Sequence, residues 1–217
     1  MSLQRDAASG LKTLSGFLVQ SGNSVTGNML LSGQTSCAGV GPVSGQLSGS
    51  AVTLTVDQTG QTVNLTGTTG TGISSMSGNY SILSSPCGDT SVGTWTASVV
   101  QPLNGSFQGT FTSTETIGVV FHFSGTISQA ANTGASTANL SGSMTSTDAS
   151  CFSSASVSGL ISGTAVVLNL VSSEGVALGQ YRGTAATDAG SIAGTYDIFN
   201  AAGGCDDFGN ATITLQP

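Results

Sequence analysis

Nearly all the reactive chemistry available to this 217-residue chain rests on one histidine, ten acids and four cysteines. His122, the only imidazole, would have to serve as the base of any Ser–His–Asp machinery. No GxSxG stretch stands in the strand–turn–helix setting that a nucleophile elbow requires. The plainer reading is a strand histidine on the face opposite Phe121 and Phe123. Glu115 and Glu174 sit in turn-like "STETIG" and "SSEGV", and the chain has one tryptophan with which to stack a sugar. That is a poor foundation for the paired, environment-split carboxylates of a glycosidase. Asp89 and Asp207 each stand two residues after a cysteine, and Asp188, Asp197 and Asp206 add acids late in the chain. A hard cation needs several converging oxygens. "GGCDDFGN" lacks the DxDxDG spacing, and aspartates commonly cap turns through their own backbone. Tyr80 and Tyr196 lie in the matching contexts "SGNYSI" and "AGTYDI". Together with Asp89 and Asp207 they are the candidate ligand contacts. The alternative is a buried ring whose hydroxyl pins a loop. No catalytic residue, metal ligand or cofactor is assigned.

The matching tyrosine contexts belong to a larger repetition. "SGQLSGSAVTLTV" (44–56) reads again as "SGLISGTAVVLNL" (158–170). "LTGTTGTGISSMSGNYSI" (65–82) answers "YRGTAATDAGSIAGTYDI" (181–198), and "GTWTASV" (93–99) answers "GNATITL" (209–215). Cys37 aligns with Cys151, and Cys87 with Cys205. The chain is a duplicated unit of roughly 105–115 residues. One bridge per unit, Cys37–Cys87 and Cys151–Cys205, is the simplest use of these cysteines, although four cysteines allow three pairings. Zinc is the weaker rival, because no CxxC occurs and there is a single histidine. Disulfides point to an oxidising compartment: periplasm, cell surface or medium.

The elements that must position these residues are strands. Val52, Leu54 and Val56 share one face of "AVTLTV", and Trp95, Ala97 and Val99 share one face of "GTWTASV". Gly, Asn and Asp turns recur between short strands, the pattern of an antiparallel sandwich or barrel. The second unit divides into strands near 104–113, 117–129, 136–144, 155–162, 165–172, 177–185, 191–199 and 208–215. The first shows seven, from 15–20 to 92–100, with an opening strand sought in residues 8–14 and a short helix near 6–14 as the alternative. Triplets such as Gly45-Leu47-Gly49, Gly159-Ile161-Gly163 and Gly109-Phe111-Ser113 predict close backbone approach inside tapering barrels. The expected architecture is all-β, an antiparallel meander forming two tandem barrel- or sandwich-like lobes. A single larger pseudo-symmetric barrel would enclose a lumen too wide for side chains to fill. The boundaries are 1–14 for a leader with a short helix or strand, 15–102 for the first lobe and 103–217 for the second, joined near "QPLNG".

Charged residues are 6% of the chain, against about a quarter in ordinary soluble domains. The net charge is −7, with Arg5, Lys12 and Arg182 as the only cations besides histidine. Three cations cannot build a phosphate-binding face, so nucleic acid and anionic membrane surfaces are poor partners. No apolar run is long enough for a membrane helix. An outer-membrane barrel would show apolar outward bands and aromatic girdles, yet aromatics are 6%. "MSL" reads as an added leader standing in place of a native signal peptide, since no apolar stretch follows a basic start.

The pattern of Cys37, Ser44–Val56, Gly78–Ile82, Cys87 and Gly93–Ala97, with its second copy, resembles bacterial secreted proteins and lipoproteins built of duplicated, cysteine-containing β units. That resemblance implies an extracytoplasmic location and no particular activity. A lipoprotein of this type would carry a lipid-bearing N-terminal cysteine, for which residues 1–36 offer no candidate. The expected function is a non-catalytic binding or cell-envelope surface module. Its partner would be a small, partly apolar molecule or an envelope component, held in a barrel mouth or between lobes. A hydrolase using a carboxylate or His122 and a structural or adhesive surface subunit are the alternatives.

Overall fold

A computed structural model describes residues 2–5, 12–33, 38–83, 90–146, 148, 153–173, 177–200 and 206–216. All four cysteines, Asp89 and Glu174 lie outside these residues, and with them both expected bridges. The described chain is an antiparallel meander forming two units. One is Met1–Val99 with Asn132–Thr137, and the other is Val100–Ala131 with Ala138–Pro217.

In the first unit the strands are β1 (Ser2–Arg5), β2 (Lys12–Ser21), β3 (Ser24–Gly33), β4 (Gly39–Ser48), β5 (Ala51–Gln58), β6 (Gln61–Thr69), β7 (Ser75–Leu83) and β8 (Ser91–Ser98). Each pairs with the next, and seven long strands do most of the curling. Closure comes through β1 alone, which pairs with β8 from Ser2 to Arg5 and with β2 only at Ser2 and Leu3. The strand that opens this unit is Ser2–Arg5, within the stretch 1–14; of the segment 8–14, residues 8–11 lie outside the described residues. Residues 12–14 extend β2 and are not helical. Their alternation explains why: Lys12 and Leu14 are buried on one face of a ten-residue strand, a period of two that a helix cannot serve.

The second unit consists of β9 (Gly105–Ser113), β10 (Val120–Gln129), β11 (Ala138–Ser146), β12 (Ser154–Ser162), β13 (Ala165–Ser172), β14 (Ala177–Ala185), β15 (Ser191–Asn200) and β16 (Asp207–Gln216). Here β16 pairs back onto β9 from Gly209 to Gln216, a complete closure. Eight strands make a barrel that side chains can fill. In both units alternate residues do so. In β8, for example, Ser91, Gly93, Trp95 and Ala97 are buried while Val92, Thr94, Thr96 and Ser98 face out. The outer walls are largely serine and threonine and the interiors aliphatic and aromatic, the reverse of a lipid-spanning barrel.

The repeat survives as register. Gly45 faces Leu54 across β4–β5, as Gly159 faces Leu168 across β12–β13. Leu65 faces Tyr80, as Tyr181 faces Tyr196, and Gly67–Gly78 is matched by Gly183–Gly194. Trp95 stands opposite Gly78, where Ala211 stands opposite Gly194. The glycine pairs are sites of close approach. A methyl group on Gly78 would lie 1.9 Å from the Thr66 carbonyl oxygen, and one on Gly194 2.1 Å from that of Arg182. The last glycines of two triplets do something else: Gly49 (φ 60°) and Gly163 (φ 59°) are turn residues of tight hairpins, where left-handed backbone is required.

The linker "QPLNG" also packs. Leu103 is fully buried, and its N–H donates to Gln129 Oε1 (3.1 Å). Asn104 Oδ1 accepts the Gln129 N–H (2.8 Å).

Candidate functional site

On the outer wall of the second barrel, β16, β9 and β10 lie side by side. Alternation turns Thr212 and Thr214, Gln108 and Thr110, and His122 and Ser124 outward. Register then sets them in rows, Thr212–Thr110–His122 and Thr214–Gln108–Ser124. Neighbours in a row are about 4.8 Å apart and the rows about 6.8 Å apart. These side chains line a concavity of about 520 Å³, completed by Gln216 and by Gly109 and Phe123, whose own side-chain positions face the interior. Hydroxyls, amides, threonine methyls and one imidazole make up this surface, and none of its lining residues is an aspartate, glutamate, lysine or arginine.

His122 is held from the other side. Asp148 follows β11, the strand across β10 from β9. Its Oδ2 accepts both the backbone N–H of His122 (2.8 Å) and the ring Nδ1–H (2.6 Å). Both side chains are well exposed, His122 at 64% and Asp148 at 40%. Asp148, the partner of His122, was not singled out in the sequence. It is 26 residues from His122, in a Ser/Thr-rich stretch, and only the β10–β11 hairpin brings the two together.

The candidate ligand contacts Tyr196 and Asp207 also meet, but away from the groove. Tyr196 is buried, and its hydroxyl donates to Asp207 Oδ2 (2.5 Å). Ser113 Oγ–H donates to Asp207 Oδ1 (2.6 Å), and Ser113 Oγ accepts the Thr116 N–H (2.9 Å). The carboxylate thus ties β15, β9 and the β9–β10 turn together. Burial, reinforced by the hydrogen bond to Asp207 and its charge, pushes the Tyr196 phenol well above its ordinary range. Inside, Phe111 stacks on Tyr196 with centroids 4.3 Å apart, and Phe123 lies 4.3 Å from Phe111. Tyr80, the counterpart of Tyr196, is buried in the first barrel. The position that aligns with Asp207 there is Ser91, and Lys12, Gln58 and Gln61 are further buried polar groups of that unit. Gln61 Nε2 donates to Gln58 Oε1 (2.8 Å) and Gln58 Nε2 to the Gly39 carbonyl (2.5 Å). Among the described residues no three His, Cys, Asp or Glu side chains converge on a metal-sized site.

No protein-family model and no curated protein matches this chain.

Proposed function

We propose that the chain is an extracytoplasmic, non-catalytic binding module, and that the outer wall of its second barrel receives a neutral, hydroxyl-rich ligand such as an envelope or extracellular glycan. The groove over β16, β9 and β10 carries this reading: a regular array of hydroxyl and amide groups mixed with threonine methyls, without a formal charge on its lining. A sugar presents the same alternation of hydroxyls and C–H faces, and a rigid sheet holds its partners in place at little entropic cost. Such a surface repels neither neutral glycans nor water, so affinity is modest, about 0.1–1 mM per site. The cysteines at equivalent positions of the two units support the oxidising compartment.

The test is titration of isotope-labelled protein with cellohexaose, maltohexaose and chitohexaose, with hexagalacturonate as the charged comparison. At least one neutral hexaose should move the backbone resonances of Thr110, Thr212 and Ser124. If none moves them at 10 mM (a tenfold excess over the weakest expected constant, about 1 mM), the reading falls. The His122–Asp148 contact favours a second reading, a hydrolase, which requires the bound hexaose to be cleaved and cleavage to stop in His122→Ala.

A further inference from the structure

The ring of His122 has a hydrogen-bond polarity that the surrounding geometry decides. A carboxylate only accepts hydrogen bonds. Asp148 Oδ2 lies 2.6 Å from Nδ1, and the same oxygen takes the His122 backbone N–H at 2.8 Å, so Asp148 grips His122 at one ring atom and at its backbone. The proton must therefore be on Nδ1. In the neutral ring Nε2 then carries a lone pair. Because Asp148 approaches from the β11 side, Nε2 is on the edge turned toward β9 and the groove that His122 lines. Asp148 is the charged group that meets this ring. The outward residues around it, Thr110 and Thr112 on β9, Val120 and Ser124 on β10, Thr145 on β11 and Thr212 on β16, are all uncharged. Nearby acids have other places: Glu115 is in the β9–β10 turn, and Asp207 is engaged by Tyr196 and Ser113.

Resting on the groove as a ligand site, we propose that Asp148 is a positioning residue that locks His122 as the Nδ1–H tautomer, making Nε2 the groove's fixed hydrogen-bond acceptor. The ligand it selects brings a free hydroxyl donor to that point. The hydroxyls of Thr110, Thr212 and Ser124 can each rotate to donate or accept, so they adapt to a ligand. A neutral Nε2 cannot. Unlike those hydroxyls, it discriminates a free hydroxyl from its methyl ether.

The single histidine makes the test direct, because a long-range ¹H–¹⁵N spectrum of the protein labelled at histidine contains one imidazole. Recorded at pH 8 on the free protein, it should show a protonated Nδ1 and an unprotonated Nε2. Asp148→Asn, whose amide oxygen can still accept both N–H groups, should keep that pattern, and Asp148→Ala should lose it. On adding whichever hexaose moves the groove resonances, the Nε2 signal should shift. Its permethylated form should bind at least tenfold more weakly, as should the parent hexaose to Asp148→Ala. A ring protonated at Nε2 in the free protein overturns the proposal whatever the glycans do. So does movement of Thr110 and Thr212 without any change at Nε2. Silence of every groove resonance with all hexaoses, by contrast, overturns the glycan reading while the free-protein spectrum still decides the tautomer.

Discussion

The two barrels share a register and fill it differently. In the first, Trp95 lies over the Gly67–Gly78 pair, and its indole N–H reaches the carbonyls of Thr66 (3.2 Å) and Asn79 (3.1 Å), donors and acceptors matched inside the wall. In the second, the position of Trp95 is Ala211. The space over Gly183–Gly194 is reached instead by Tyr181, which replaces Leu65 and whose hydroxyl lies 2.5 Å from where a methyl on Gly183 would be. That hydroxyl is buried and has no hydrogen-bond partner. Further bulk comes from Phe111, paired with Ala211, and from Phe123, whose place in the first barrel is taken by Leu14. A large ring lost from the last strand is regained on β9, β10 and β14. What is preserved is the filled volume of an eight-stranded barrel, not the identity of its residues, as packing at crystal-like density demands.

The largest expected effects come from removing those rings. Phe111→Ala should cost the second barrel about 3–5 kcal/mol. Urea unfolding followed by the emission of Trp95, which reports on the first barrel alone, should keep its midpoint. Trp95→Ala should cost the first barrel a similar amount, read by calorimetry. If Phe111→Ala moves the Trp95 midpoint, the cores are not independent and the comparison breaks.

Substitution of the matched glycines should instead treat the barrels alike. Gly78→Ala and Gly194→Ala each drive a methyl into a backbone carbonyl, and each should destabilise its own barrel by about 3 kcal/mol. Unequal losses would show that one wall can yield where the other cannot.

The smallest effects sharpen the contrast between two tyrosines. Tyr196→Phe removes a hydrogen bond to a carboxylate and should cost about 1.5 kcal/mol, whereas Tyr181→Phe removes an unpartnered hydroxyl and should be neutral or stabilise by up to about 1 kcal/mol. Burial pushes both phenols upward from 10.0, joined in Tyr196 by the hydrogen bond to Asp207 and its charge. A phenol held protonated in the fold but free to ionise in the unfolded chain gives full stability below pH 10, and that stability falls as pH rises beyond it. Alkaline absorbance titration should therefore find these two rings ionising late, together with unfolding of the second barrel. Early ionisation of either ring would show that it is not buried as described.

Much of this was written in the one-dimensional pattern. Alternation placed the strands of the second unit within a few residues of their observed ends, because the side-chain period of a strand is two whatever its neighbours are. Self-similarity predicted two lobes, since residues that share a register must be copied together. The opening strand escaped because Ser2–Arg5 is too short to alternate visibly, and it is a strand only because β8 and β2 offer it partners. Tyr196 and Asp207 were noticed as types in matching contexts. That they face each other, and not the groove, follows from the β15–β16 pairing. His122 was visible and Asp148 was not. Composition and spacing determine which residues exist and which face of a strand they take, because both are local. The partner of His122, the rows of hydroxyls beside it and the strand that closes each barrel were decided only by pairing between distant segments, since a hydrogen bond across a sheet depends on register that no single strand contains.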